Sequence, residues 1–147
     1  MGRIVVYYYT RTGNTEKMAK AVAEGASRVE GVEVELKRSV NPEELADYDA
    51  IVIGVPTYNH RTPPVVDKLL EELAIRNVNL KGKIGAAFGS YGWSGEAPRL
   101  VLEVMKNKFE MNVIEPPLLV RYSPDEVGLK KCLEFGENIA KNYGLRS

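Results

Sequence analysis

Short apolar runs alternate with segments of helical periodicity along most of the chain. Five runs rich in β-branched residues predict strands at residues 4–8, 32–36, 50–55, 84–88 and 118–120. The first, third and fourth runs are apolar almost throughout, which is typical of strands covered on both faces of a parallel sheet. The second run alternates apolar and polar residues, so we expect it at one edge. At the other edge, Pro116 and Pro117 follow residues 113–114 and predict a last strand that is broken or bulged.

The segments between these runs place apolar residues on one helical face and predict crossover helices. Their stripes are Met18, Val22, Gly25, Ala26 and Val29, then Val66, Leu69, Leu70 and Leu73, then Ala97, Leu100, Val101, Val104 and Met105. A last helix is predicted to open with the capping box Ser123-Pro124-Asp125-Glu126, and a short helical turn is predicted at residues 41–44, where Asn41 and Glu44 stand at the same spacing. The stripe of the last helix is Leu129, Cys132, Leu133, Gly136, Ile139, Ala140 and Tyr143. On that stripe, Cys132 is interpreted as a small core residue rather than a reactive thiol.

Strands and helices that alternate about five times predict right-handed crossovers and a doubly wound α/β sheet. In such sheets, ligands bind beyond the carboxyl ends of the strands, where the strand order reverses. We therefore expect functional residues in the loops after the first, third and fourth strands.

Composition excludes several classes of function. The 147 residues fit one domain, residues 1–147, and 20 Lys plus Arg balance 20 Asp plus Glu. A net charge of zero supplies no general attraction for nucleic acid or for an anionic membrane, so we expect neither as a partner. One Cys and one His exclude a disulfide framework and a zinc or iron–sulfur module. The chain enters its first strand without a signal-type segment and has no run of 18 apolar residues, which predicts a cytoplasmic protein.

The loop after the first strand, Thr-Arg-Thr-Gly-Asn-Thr at residues 10–15, leads directly into a predicted helix. A helix N-terminus offers free N–H groups, and the Thr hydroxyls and the Asn14 amide add donors, so this loop suits a phosphate. It lacks the Lys of a P-loop and the glycines of a dinucleotide fingerprint. Cys132 is too distant in sequence to be the nucleophile of a phosphatase with its Cys in this loop. A polar turn with a simple helix cap remains the alternative for this loop taken alone.

Residues 54–64 and 89–96 follow the third and fourth strands and combine small residues with aromatic ones. Trp93, the only Trp, lies in a glycine-rich loop too thin to bury it, so we expect it to stack on a planar ligand. His60 has no second His, Cys or suitably placed carboxylate for a metal site or a catalytic triad, which argues against hydrolysis. An exposed loop residue is the alternative interpretation of His60. Together the three loops describe a site for a planar ring on a phosphorylated chain, and flavin mononucleotide (FMN) fits best.

Three motifs resemble those of known FMN proteins. T-x-T-G-N-T at residues 10–15 is similar to the phosphate loop of flavodoxins, and G-x-P-T-Y-N at 54–59 with G-S-Y-G-W-S-G-E at 89–96 resembles the flavodoxin-like domain of A-type flavoproteins. The resemblance implies a flavodoxin-like, doubly wound, five-stranded parallel sheet of order 2-1-3-4-5 with helices on both faces, and an electron-transfer role with FMN. It also implies the cofactor-binding residues. For the phosphate these are Thr10, Arg11, Thr12, Gly13, Asn14 and Thr15; for one edge of the isoalloxazine ring, Pro56, Thr57, Tyr58, Asn59 and His60; for its other side, Ser90, Tyr91, Gly92, Trp93 and Gly95.

Two features of the chain differ from the relatives it resembles. In A-type flavoproteins a diiron oxidase domain precedes this module, whereas only three residues precede the first strand here, so we expect a stand-alone carrier without oxygen or nitric oxide chemistry. Arg11, His60 and Arg61 outnumber Glu96 in the loops, which predicts an acidic redox partner such as a ferredoxin, a rubredoxin or a separate diiron oxidase. We also expect a left-handed backbone at Asn59, in a turn that offers a carbonyl to the flavin. An FMN-dependent NAD(P)H or quinone reductase and a flavin-free regulatory module stay open as alternatives, as do a monomer and a homodimer.

Overall fold

The computed structural model describes the backbone of residues 2–146 and the side chains of residues 2–142. Its central layer is a parallel sheet with strands β1 (Gly2–Tyr8), β2 (Val32–Lys37), β3 (Ala50–Gly54), β4 (Ile84–Tyr91), β5 (Asn112–Val113) and β6 (Leu118–Arg121). The strand order is β2-β1-β3-β4-β5, and β6 also pairs with β4. The predicted doubly wound sheet of order 2-1-3-4-5 is confirmed, with the alternating strand β2 at one edge.

The last strand is broken into β5 and β6, as the two prolines predict. β5 pairs with residues 84–85 at the start of β4, and β6 pairs with residues 88–91 at its end. Pro116 and Pro117 lie between them, where they have no N–H to donate to a neighbouring strand. β4 continues beyond the predicted end at Phe88 because its pairing with β6 extends through Gly89 and Ser90. This extension brings the third loop beside the end of β6.

Helices cover both faces of the sheet: α1 (Asn14–Ser27), α2 (Pro64–Ile75), α3 (Glu96–Asn107) and α4 (Glu126–Arg146). The helices α1 and α4 pack on the face that contains Ile4 and Val6, whereas α2 and α3 pack on the face that contains Val5 and Tyr7. Successive residues of one strand are thus buried on opposite faces, which explains why the central runs are apolar throughout. Within residues 2–146, no helix combines the length and the apolar character needed to cross a membrane.

The start of α4 differs from the prediction. The helix begins at Glu126 with Asp125 rather than Ser123 as its cap, because the Asp125 carboxylate accepts a hydrogen bond from Gly128 N–H (2.8 Å). The Ser123 hydroxyl instead accepts a hydrogen bond from a lysine of α1. Tyr143, predicted on the stripe of this helix, lies outside the described side chains.

Three further predictions can be compared with the structure. The short helical turn is a 3₁₀ helix (Pro42–Asp47), and Asn41 N–H donates to the Glu44 carboxylate before it (2.8 Å). Cys132 is fully buried, as predicted, and burial raises the pKa of its thiol to about 11. The placement of Leu100 in the core is wrong, because Leu100 is exposed at a groove between α2 and α3 and Leu102 is buried instead.

The helices α1 and α4 approach each other closely at two glycines. A Cβ on Gly25 would lie 2.0 Å from the Leu133 carbonyl oxygen, and a Cβ on Gly136 would lie 2.0 Å from that of Val22. The obstacle is backbone in both cases, so it cannot move aside as a side chain could. Both glycines are therefore required for the packing of these helices.

Candidate functional site

The three loops predicted to form the site meet at the carboxyl edge of the sheet. A larger groove, of about 530 Å³, lies between α2 and α3 but meets only the second loop. We place the candidate site at a smaller cavity, of about 140 Å³, because all three loops converge there. Tyr122 lines this cavity without having been predicted from the sequence. The other lining residues are predicted site residues: Thr12, Asn14, Pro56, Thr57, Tyr58, Ser90, Tyr91 and Gly92.

The first loop forms the N-terminus of α1. Gly13 is the N-cap and has a φ of 91°, a left-handed conformation that strains any residue with a Cβ. The Thr10 hydroxyl accepts a hydrogen bond from Gly13 N–H (3.0 Å), which closes the turn. Arg11 and Thr12 are exposed, and Asn14 is partly exposed. The loop thus presents the first turn of α1, with its unpaired N–H groups and the positive end of its dipole, beside the cavity.

Thr15 and Ser90 join the first loop to β4. Their hydroxyl oxygens lie 2.9 Å apart, and the two residues are 1% and 6% exposed. The Ser90 N–H also donates to the Thr15 hydroxyl, at 3.4 Å. The two hydroxyls therefore satisfy each other and fix α1 against the strand that leads into the third loop.

The second loop contains a tight turn from Tyr58 to Arg61. These two residues exchange backbone hydrogen bonds of 3.3 and 3.0 Å, and Asn59 and His60 between them have φ values of 51° and 62°. The left-handed conformation predicted for Asn59 is confirmed, and the two positive values are typical of a two-residue hairpin turn. Thr57 anchors the turn, since its hydroxyl accepts a hydrogen bond from an N–H in the first turn of α3 (2.9 Å).

Two aromatic side chains of the site have different environments. Tyr58 is partly buried, and the Arg11 guanidinium carbon lies 5.5 Å from its ring centroid. Burial raises the pKa of Tyr58 against the opposing effect of the Arg11 charge. Trp93 is 87% exposed, and its ring centroid lies 5.8 Å from that of His60. An indole this open to water is an apolar surface available to a planar ligand.

His60 has a carboxylate partner, contrary to the expectation from the sequence. Its Nδ1 lies 2.5 Å from the Glu96 carboxylate and 3.0 Å from the Ser94 hydroxyl, and Gly95 beside them is the N-cap of α3. A Ser–His–acid triad needs the hydroxyl and the acid on different ring nitrogens, whereas here both lie at Nδ1, so the group is not a hydrolytic triad. The Ser94 hydroxyl, followed by His60, holds the pKa of Glu96 below its ordinary value.

The match to known proteins covers most of the chain. A family model described as flavodoxin matches residues 6–136. The chain belongs to the flavodoxin family. It is 38% identical over 145 residues to a nitric oxide reductase of Moorella thermoacetica, a match that covers 94% of this chain and 35% of that protein. It is 34% identical over 150 residues to the type A flavoprotein fprA of Rhodobacter capsulatus, a match that covers 98% of this chain and 34% of that protein. The chain thus spans about a third of the length of these curated relatives.

Solved structures of the flavodoxin family agree with the fold. The structure of a flavodoxin from the domain Archaea has a TM-score of 0.85 to this chain at 37% identity, and the match covers 95% of this chain and 97% of that one. The predicted resemblance to flavodoxins and to A-type flavoproteins is confirmed. Flavodoxins and A-type flavoproteins carry FMN, so the predicted cofactor is confirmed at the level of the family.

The end of β6 adds two residues to the site that were not predicted from the sequence. Tyr122 lines the cavity, and its N–H donates to the Tyr91 carbonyl oxygen (2.7 Å). Arg121 donates from Nε to the Gly92 carbonyl oxygen (3.2 Å), and its guanidinium lies 5.2 Å from the Tyr122 ring centroid. Arg121 and Tyr122 could have been found from their position at the carboxyl end of a strand, because β6 ends at the same edge of the sheet as the strands before the three loops.

Proposed function

We propose that this chain binds FMN at the three converging loops and acts as an electron carrier between redox proteins. The observation that supports this most is the convergence itself, since a loop at a helix N-terminus and two loops with aromatic residues line one cavity. The residues present suit the cofactor: no carboxylate stands in residues 10–15 to repel a phosphate, and the exposed Trp93 offers a flat face to a ring. Membership of the flavodoxin family supports the same electron-transfer role.

Each loop has a distinct part in this proposal. Residues 10–15 would hold the phosphate through the N–H groups at the start of α1 and through the side chains of Thr12 and Asn14. Residues 56–60 would lie along one edge of the ring, and residues 90–93 with Gly95 would cover its other side. FMN supplies the redox chemistry when bound, because its ring accepts and releases electrons. The chain would orient the ring, with the cavity-lining Tyr58 excluding water from it and the exposed Trp93 lying where a partner could approach.

An acidic redox protein is the partner that the charges around the cavity favour. Arg11, Arg61 and Arg121 are exposed there, whereas Glu96 is engaged by His60. A ferredoxin, a rubredoxin or a separate diiron oxidase with an acidic docking face would suit this rim. Steering by such charges speeds association and weakens as ionic strength rises.

Stopped-flow reduction of an acidic rubredoxin by the reduced holoprotein tests this partner. We expect the rate constant to fall as salt is added and to fall several-fold in Arg61→Glu, because the substitution reverses one rim charge. Lys81→Glu is the matched control, since Lys81 precedes β4 and therefore lies at the opposite edge of the sheet. A rate constant that responds neither to salt nor to Arg61→Glu would contradict an acidic partner but not FMN binding.

The carrier proposal also makes a prediction about small substrates. The holoprotein should oxidise NAD(P)H negligibly in the steady state, with or without an added quinone, because a carrier has no site for a second planar substrate. Rapid turnover would instead favour an NAD(P)H or quinone reductase.

A further inference from the structure

A small polar cluster, the loop bridge, joins the second and third loops and consists of His60, Ser94 and Glu96. The His60 Nδ1 donates to Glu96 (2.5 Å), because a carboxylate can only accept a hydrogen bond, and the Ser94 Oγ lies 3.0 Å from the same nitrogen. His60 belongs to the turn of the second loop, and its two partners stand at the start of α3. The bridge therefore connects the two segments proposed to lie on either side of the ring.

Two observations indicate that the bridge positions Trp93 rather than stabilises the fold. The side chains of His60 and Glu96 are 61% and 38% exposed, and ion pairs this open to water contribute little to stability. His60 also holds a left-handed backbone conformation, which is unfavourable for a residue with a Cβ. The Trp93 ring lies 5.8 Å from the imidazole at an angle of 54°. A strained residue that gains little stability, beside an exposed indole, points to a role at the cofactor rim.

We propose that His60 is a positioning residue that ties the second loop to the third through Glu96 and Ser94 and thereby holds the Trp93 indole at the cofactor rim. The imidazole serves in two ways, as a hydrogen-bond donor to Glu96 and as a ring against which the indole lies. The role at the rim rests on the proposed function, because FMN is the ligand there. The tie between the loops is present without a ligand and can be tested separately.

Fluorescence anisotropy of the flavin-free protein tests the tie, because Trp93 is the only Trp and reports its own mobility. We expect the anisotropy to fall in His60→Ala and in Glu96→Ala, and to be largely retained in His60→Asn, whose Nδ2 lies where His60 Nδ1 does and still donates to Glu96. Glu103→Ala is the matched control, since Glu103 lies about two turns further along α3 and its loss should leave the anisotropy unchanged. Wild-type anisotropy in both bridge variants would overturn the proposal. Urea unfolding checks that each variant folds. If His60→Ala does not fold, the anisotropy of Glu96→Ala alone tests the proposal.

The rate of FMN release from the holoprotein tests the role at the rim. We expect several-fold faster release in His60→Ala and in Glu96→Ala, and no further increase in the double variant, because both changes remove the same bridge. Lower anisotropy with unchanged FMN release would overturn the role at the rim. If the wild-type protein does not bind FMN, the proposed function fails, while the anisotropy still decides whether the bridge holds Trp93.

Discussion

Removal of the Thr15 hydroxyl should destabilise the fold even without a cofactor. In Thr15→Val the side-chain shape is kept, but the Ser90 hydroxyl loses the partner that lies 2.9 Å away. Both residues are buried, so water does not replace the lost hydrogen bond. The substitution therefore separates the structural role of Thr15 from the phosphate-binding role predicted for it.

The size of the effect follows from the two hydrogen bonds that Thr15 makes with Ser90. A buried polar group left without a partner costs about 1–3 kcal/mol, and Thr15→Val frees both the Ser90 hydroxyl and the Ser90 N–H, so we expect a loss of about 2–3 kcal/mol. Ser90→Ala leaves the Thr15 hydroxyl facing that N–H and should cost about 1 kcal/mol. The double variant should cost less than the sum, with a coupling of about 1 kcal/mol, because it replaces both hydroxyls by apolar groups.

Urea unfolding of the flavin-free protein, followed by circular dichroism, measures these free energies. Thr15→Ser is the matched control, because it keeps the hydroxyl and loses only a methyl group worth about 1 kcal/mol. Additive effects of the two single substitutions, or a Thr15→Val protein as stable as wild type, would refute the reasoning. The FMN affinity of the same variants then shows whether Thr15 also contacts the phosphate.

Three further predictions concern helix packing, acid stability and the second loop. Gly136→Ala should lower the free energy of unfolding by about 3 kcal/mol, because its Cβ would lie 2.0 Å from the Val22 carbonyl oxygen; an unchanged urea midpoint would contradict that contact. A hydrogen bond from the Tyr48 hydroxyl holds the pKa of Glu35 below its ordinary value of 4.5. The ionised carboxylate therefore stabilises the fold above pH 4.5, and this contribution is lost as the pH falls through the lower pKa of the folded state. The difference in urea midpoint between wild type and Glu35→Gln should shrink over that range, and a constant difference would argue against the pair. Asn59→Val should be less stable than Asn59→Gly by about 1–2 kcal/mol, because a β-branched residue is strained at a φ of 51°, and equal stability in urea unfolding would count against a left-handed turn.

The fold could be predicted where burial alone decides the pattern. The uninterrupted apolar runs of β1, β3 and β4 reflect burial on both faces of the sheet, and the alternation in β2 reflects its place at an edge. The end of β4 could not be predicted, because Gly89 and Ser90 are small or polar and become a strand only by pairing with β6. The start of α4 could not be predicted because Ser123 and Asp125 are both good caps, and the backbone geometry decides between them.

The candidate site could be predicted where its features are local. The first loop is visible as a polar turn before a helix, and Trp93 is visible as an aromatic residue in a glycine-rich loop. Contacts between loops were missed because they depend on how the ends of separate strands face one another. The pairing of His60 with Glu96 spans 36 residues, and Tyr122 follows the short strand β6, which Pro116 and Pro117 separate from β5.

The most direct measurement is a titration of the flavin-free protein with FMN and, in parallel, with riboflavin, which lacks the phosphate. Quenching of the Trp93 fluorescence provides the signal, because this indole is proposed to stack on the ring. We expect one FMN to bind per chain and riboflavin to bind at least about tenfold more weakly, since each charge-assisted hydrogen bond from the first loop to the phosphate contributes about 1.5–3 kcal/mol. No quenching by FMN, or equal affinity for FMN and riboflavin, would contradict the proposed site.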